Sequence, residues 1–333
     1  MTIKPRLQRR HALALLGTAP LALGLRSAAA QPDSYPSRPV RVISPFPAGG
    51  SGDIITRYYS AKLSESLGQQ FVVENRPGAN GMIGMSQAAR AAPDGYTLVH
   101  SYDGSFSVAP AMGPTPVEPL RDFTPLGMMG QLSFLLIATE SWPHRTLKDT
   151  MAEIRRKGEE ITYASAGIGS SLHILMEIFL KQMGGKATMV PFSGTAPGVN
   201  AVLGGHVQLM LCGIPTALPH IRSGKLKAIA FAAQQRHPTL PDLPTFKEAG
   251  FDYRAQVWQG LFGPAGLPDA ITRKLAAECW KVSKSDDFAE KFIRVAGYDS
   301  AMVPPEEFPA FLREDRKRYE DAIASLGPGA KQK

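Results

Sequence analysis

Ser170, His173 and Asp53 are the residues from which a nucleophile, a base and an orienting acid could be drawn, and hydrolysis is the chemistry such a set performs. Nothing in the sequence orients the three toward one another. The run Gly49-Gly50-Ser51-Gly52-Asp53 misses a Gly-x-Ser-x-Gly nucleophile elbow at its last position. It also lacks the lysine that a phosphate-binding P-loop places after its final glycine. Gly78, Gly81 and Gly84 stand three apart, which is not the spacing of a dinucleotide-binding fingerprint. The histidines form no His-Glu-x-x-His pattern and the cysteines no Cys-x-x-Cys pair, so neither a metal nor another cofactor is expected.

The same glycine-rich run has a second possible use. Arg41-Val42-Ile43-Ser44 reads as a β-branched strand, and a helix beginning near Asp53 carries Ile55, Tyr59, Leu63 and Leu67 at four-residue intervals. A strand that ends in a Gly/Ser turn at a helix N-terminus offers unpaired backbone N–H groups and the positive end of the helix dipole to an anion. Asp53 then either complements the dipole or faces an ammonium group of a ligand. A second such junction stands at Ser165-Ala166-Gly167-Ile168-Gly169-Ser170-Ser171, where the hydroxyls either cap the helix or meet a ligand oxygen. Thr195 heads a third. His173 is read as a structural helix residue and Trp258 as core.

Strands and helices alternate to Ser101, predicting a parallel βαβαβ unit covered on both faces. Residues 103–124 hold four prolines and read as irregular. An apolar strand over 132–139 opens a second alternating series that echoes the first. Ligands bind at the carboxyl ends of strands in open α/β sheets, and two such edges facing each other make a cleft. The charge-dense run Arg313–Arg318 in the last helix reads as a solvated face.

Lys4, Arg6, Arg9 and Arg10, an apolar stretch over 11–25 and Ala28-Ala29-Ala30 have the order of a secretory signal peptide cleaved after Ala30. Arg9-Arg10 leaves both Sec and twin-arginine export open. Residues 1–30 hold five cations and no acid, so the formal charge falls from +8 to +3 on cleavage. No basic run interleaved with aromatics follows, which argues against nucleic acid as partner. Cys212 and Cys279 are expected as two buried thiols, with a disulfide as the alternative.

Several stretches together resemble the periplasmic receptors of tripartite tricarboxylate transporters, the Bug receptors. They include Pro45-Phe-Pro-Ala-Gly-Gly-Ser-Gly-Asp53, Val73-Glu-Asn-Arg-Pro-Gly-Ala-Asn-Gly-Met-Ile-Gly84, Tyr163-Ala-Ser-Ala-Gly-Ile-Gly-Ser-Ser-Leu-His173 and Trp258-Gln-Gly-Leu-Phe-Gly-Pro-Ala-Gly266. The resemblance spans the mature chain in order. It implies an α/β fold of the type II periplasmic binding protein kind, with two lobes, a hinge and an interdomain ligand cleft. The lobes would comprise 35–132 with 253–333, and 133–252. It also implies a monomeric, non-enzymatic receptor that holds a small carboxylate between loops 46–53 and 165–171 and delivers it to membrane permease subunits. The candidate ligand-binding residues are Phe46, Ala48, Gly49, Gly50, Ser51, Asp53, Asn80, Asp103, Ser105, Ser165, Gly167, Gly169, Ser170, Ser171 and Thr195. Asp103 departs from the family's usual Thr-Asn-Gly loop; facing inward, it would select a ligand bearing a donor or an ammonium group. A sensor signalling to a membrane partner and a secreted hydrolase are the other readings.

Overall fold

Apolar runs punctuated by glycine turns alternate as strand and helix twice along this chain, and each series becomes one half of the fold. The structure, a computed structural model, describes residues 35–49, 51–299 and 302–327. The leader and Gly50 lie outside the described residues. The first series is β1 (Val40–Ser44), α1 (Ser51–Leu67), β2 (Phe71–Asn75), α2 (Met82–Ala89) and β3 (Thr97–Tyr102). A π-helical stretch, Gly104–Val108, leads into α3 (Ala109–Met112), α4 (Pro119–Asp122) and β4 (Phe123–Thr139). The second series is α5 (Leu147–Lys157), β5 (Thr162–Ser165), α6 (Ser171–Gln182), β6 (Thr188–Pro191), α7 (Thr195–Leu203), β7 (Leu209–Gly213), α8 (Ile214–Arg222) and β8 (Leu226–Phe231). After it come β9 (Gln256–Pro264), α9 (Asp269–Ser283), α10 (Asp286–Phe288) and α11 (Phe308–Leu326).

β1 lies between β2 and β3, parallel to both, as the βαβαβ reading expects. β5 lies in the same way between β6 and β7. The two parallel triads are joined by antiparallel crossing strands, so the sheet as a whole is mixed. β9 pairs β3 and β4, and β4 runs along β9 from Phe123 to Ser133 before continuing between β7 and β8 from Phe134. At the changeover the Phe134 amide donates to the Ala255 carbonyl (3.1 Å), and the Ala232 amide donates to the Phe134 carbonyl (2.7 Å). Asp299 fastens both crossing strands there: its carboxylate accepts from Ser133 Oγ (2.9 Å) and Gln256 Nε2 (2.7 Å). Burial raises its pKa, and these two donors partly offset the shift.

Three expectations are corrected. β4 begins at Phe123 rather than Leu132, because Pro125, Gly127 and Gly130 read as breakers but sit at irregularities in the β4–β9 register. Gly130 has a packing reason: a Cβ there would lie 2.5 Å from the Tyr298 ring. The stretch 104–112 is helical rather than irregular, and Pro110 and Pro119 stand in first turns, where a missing N–H costs nothing. The charged run of α11 is only partly solvated. Leu312, Asp315, Tyr319 and Ile323 fall on one helical face, and Asp315 and Arg316 are buried with them.

Ile55, Tyr59 and Leu63 are buried as their spacing requires, and Tyr59 donates to the Met129 carbonyl (2.8 Å). Both cysteines are buried free thiols; burial pushes Cys279 up to about 12 and Cys212 up as well. No helix among the described residues is long and apolar enough to cross a membrane. Trp258 is core, with its ring packed against Phe106 (5.6 Å) and Phe308 (5.8 Å). Its Nε1 donates to Asp315 Oδ2 at 2.7 Å. Trp258→Phe should keep the packing yet leave a buried carboxylate oxygen short of a donor. Urea unfolding should therefore show a loss of about 1–3 kcal/mol.

Candidate functional site

The loops that follow β1, β2, β3, β5 and β6 all leave the carboxyl ends of their strands, and four of them converge. In the first loop Asp53 is buried and organises its neighbours. It accepts from the Gly49 amide (2.9 Å), Arg57 Nε (2.8 Å) and Asn75 Nδ2 (2.7 Å), and Asn75 also donates to the Phe46 carbonyl (2.9 Å). Burial alone would raise this carboxyl, but the bonds from Arg57, Asn75 and Gly49 outweigh it and hold Asp53 below the usual range. Asp53 therefore shapes the loop rather than standing free at its mouth. Ala48 and Gly49 are exposed and Phe46 is half-buried. The Phe46 ring packs on His100 and Tyr102, each at 5.0 Å. Gly52 makes this possible, since a Cβ there would lie 2.4 Å from the ring. His100 is pushed down to about 3 by burial and stays neutral.

After β2, Ala79 (φ 48) and Asn80 (φ 51) both take left-handed backbone, which a residue with a Cβ adopts at a cost. Asn80 thereby reaches the second loop: a Cβ on Gly169 would lie 3.6 Å from its Nδ2. Gly169 itself needs its glycine, at φ +70. In that loop Ser165 Oγ bonds both the amide and the carbonyl of Gly167 (3.2 Å each). Ser170 caps α6, accepting from the His173 amide (3.2 Å), and His173 Nδ1 accepts from the Gly169 amide (3.1 Å). Thus Ser170, His173 and Asp53 each have local structural partners. Thr195 opens α7 and is half-buried.

Asp103, just after β3, ties that strand's end to the second loop and to α11. It is fully buried. Its Oδ1 accepts from Ser171 Oγ of the second loop (2.8 Å), and its Oδ2 from the Tyr319 hydroxyl of α11 (2.5 Å). Burial first, and then the charge of Asp315, push its pKa up to about 7 against the opposing pull of Tyr319, Ser171 and Arg318. Ser105 bonds Ser101 Oγ (3.0 Å) and the Tyr102 carbonyl (3.2 Å) within its own segment. Sequence reasoning missed Tyr319, Asn75 and Arg57. The four-residue interval from Asp53 to Arg57 could have found the last. Two cavities lie elsewhere: about 390 Å³ against Pro114, Glu118 and Arg121, and about 670 Å³ against Glu140, His220 and Lys225. Among the described residues no group of three or more His, Cys, Asp or Glu could hold a metal ion.

Paired parallel triads, two crossing strands and strand-end loops that meet face to face define a two-lobed binding protein. Residues 55–327 match the tripartite tricarboxylate transporter family receptor, TctC, and the chain belongs to that family. It is similar to the protein BugT of Bordetella pertussis, with 31% identity over 95% of this chain and 97% of the relative. Among solved structures it is similar to the R. palustris protein Rpa4515 with adipate, at 29% identity and TM-score 0.81 over 88% of this chain and 98% of that one. It is also similar to MatC from Rhodopseudomonas palustris with bound malate, at 32% identity and TM-score 0.76 over 87% and 100%. As the family resemblance implies, the fold is that of periplasmic solute-binding proteins.

The Asp103 carboxyl makes stability depend on pH. Its pKa is raised on folding, so the folded state binds this proton more tightly than the unfolded chain does. Its contribution is complete below the unfolded value near 4 and is lost as pH rises toward about 7. Urea titrations should show stability falling across that window by up to about 1.4 kcal/mol per pH unit, and Asp103→Asn should flatten the fall.

Proposed function

We propose that the protein is an exported solute receptor that grips a small organic acid between loops 46–53 and 165–171 and passes it on unchanged to membrane permease subunits. The observation that carries this reading is that the segment after β3 touches both strand-end loops, through Tyr102 on Phe46 and Asp103 on Ser171, in a chain of the receptor family. Adipate and malate in two similar proteins support a carboxylate as the ligand class.

In this reading Gly49, Gly50 and Ser51, with the α1 N-terminus, receive one end of the ligand through backbone N–H groups. Phe46, Ala48 and Asn80 line its flank, and Gly167, Gly169, Ser170 and Thr195 face it from the other lobe. Asp53, Ser105 and Ser165 hold the loops in shape. The lobes are residues 35–132 with 253–333, and 133–252, turning about the β4–β9 changeover. Closure is stabilised only by contacts that the ligand makes to both lobes at once. The receptor works as a monomer in the periplasm, after removal of residues 1–30.

A thermal-shift screen tests the ligand class. At about a hundred times its dissociation constant a true ligand adds about 2.7 kcal/mol. At least one mono- or dicarboxylate should stabilise the protein. If only sugars or cations do so, the ligand class is wrong. Gly169→Val puts a branched side chain at φ +70 against Asn80 and should abolish the shift while the far-ultraviolet spectrum stays native. A variant that still binds would overturn the second-loop assignment.

A further inference from the structure

Asp103 stands in the segment after β3, which touches both loops. On one side its neighbour Tyr102 stacks on Phe46 of the first loop (5.0 Å). On the other, a Cβ at Gly104 would lie 3.1 Å from Ser171 Oγ in the second. Ser171 is the buried first residue of α6, and its side chain carries a hydroxyl donor. That hydroxyl is already donated to Asp103 Oδ1 at 2.8 Å, and the other Asp103 oxygen takes the Tyr319 hydroxyl at 2.5 Å.

We propose that Asp103 makes this receptor selective for acids with a single carboxylate, because its own carboxyl occupies the Ser171 donor at the second loop in place of a ligand's. The proposal deepens the carboxylate reading above and rests on it. One ligand carboxylate binds at the first loop. The far end of the ligand lies beside the buried Asp103–Ser171 pair, where an apolar, hydroxyl or amide group is accepted and a second carboxylate is repelled. Two carboxylates brought together in a water-poor site cannot both remain ionised without cost.

The surrounding charges do not reverse this. From α11, Asp315 adds negative charge, Tyr319 donates a hydrogen bond, and Arg318 is positive but is paired with Asp315. The Arg318 side chain is also half-exposed, which weakens its reach. From its own segment, Asp103 is faced by the neutral Tyr102, whose hydroxyl burial drives upward. The discrimination grows with pH, since the Asp103 carboxyl takes up its proton near neutrality, where ligand carboxylates are already fully ionised.

Calorimetric titration of succinate, glutarate and adipate, each against its own monoamide, tests the proposal on the full mature chain. At about pH 8 at least one monoamide should bind about tenfold or more tighter than its diacid, and at about pH 6 the gap should narrow. Asp103→Asn should remove both the preference and its pH dependence. The pH series on the unmodified protein stands alone if that variant does not fold. A diacid that binds as well as its monoamide at both pH values overturns the proposal. So does an Asp103→Asn protein whose ratio stays within twofold of the parent. If none of the six compounds binds but other carboxylates stabilise the protein, the selectivity proposal falls and the carboxylate reading survives. If no acid of any kind binds, both fall.

Discussion

A carboxylate without water must be given its hydrogen bonds by the protein, and one such group stands where the end of β3 meets α6 and α11. Asp103 receives hydroxyls from Ser171 and Tyr319, residues on two different helices. Removing either donor leaves a buried charge under-satisfied, which is costly. The same bonds fix the relative positions of β3, α6 and α11. α11 extends this tie: Asp315 takes donors from Ser107 Oγ and Trp258 Nε1, both at 2.7 Å. Lys181 of α6 also donates to the Ser325 carbonyl. The last helix thus touches elements from both strand series.

The two series are laid out alike because each solves the same packing problem. Three parallel strands need helices on their faces, and the turn from strand to helix at the carboxyl edge leaves backbone donors without partners. Setting two such edges opposite each other requires a strand that changes partners without breaking its ladder. β4 does this by exchanging partners at Ser133 and Phe134, and β9 returns beside it. Asp299 binds side chains from both strands at that point, so the two strands are tied to each other where β4 changes partners.

The parts legible in the sequence are those governed by local rules. Glycines and serines at strand ends marked both loops, and the spacing of Ile55, Tyr59 and Leu63 marked the buried face of α1. What was not legible depends on partners distant in the chain. Nothing near Asp103 announces Tyr319, which lies 216 residues away. The inward face of α11 was hidden because Arg313–Arg318 are charged without a break, and only the interval Leu312–Asp315–Tyr319–Ile323 betrays it. β4 was read short because glycine and proline ordinarily end strands, and register irregularities opposite β9 absorb them instead.

The chemistry of the site follows from how its reactive groups are held. His100 is kept neutral by burial and bonded to Thr56 Oγ1 at 2.6 Å, so it serves the packing of Phe46 and Tyr102. His173 accepts a backbone amide and Ser170 caps a helix, which ties both to the shape of the loop. Asp53 is ionised, but its oxygens accept from three groups of its own loop region. A site built to transfer a proton keeps a base poised near the working pH and within reach of the reacting atom. Here the carboxyl that titrates near neutrality is Asp103, and it is enclosed by hydroxyls that fix it. In the proposed selectivity, a group placed in this way changes the charge beside the ligand with pH and so bears on which anion is held.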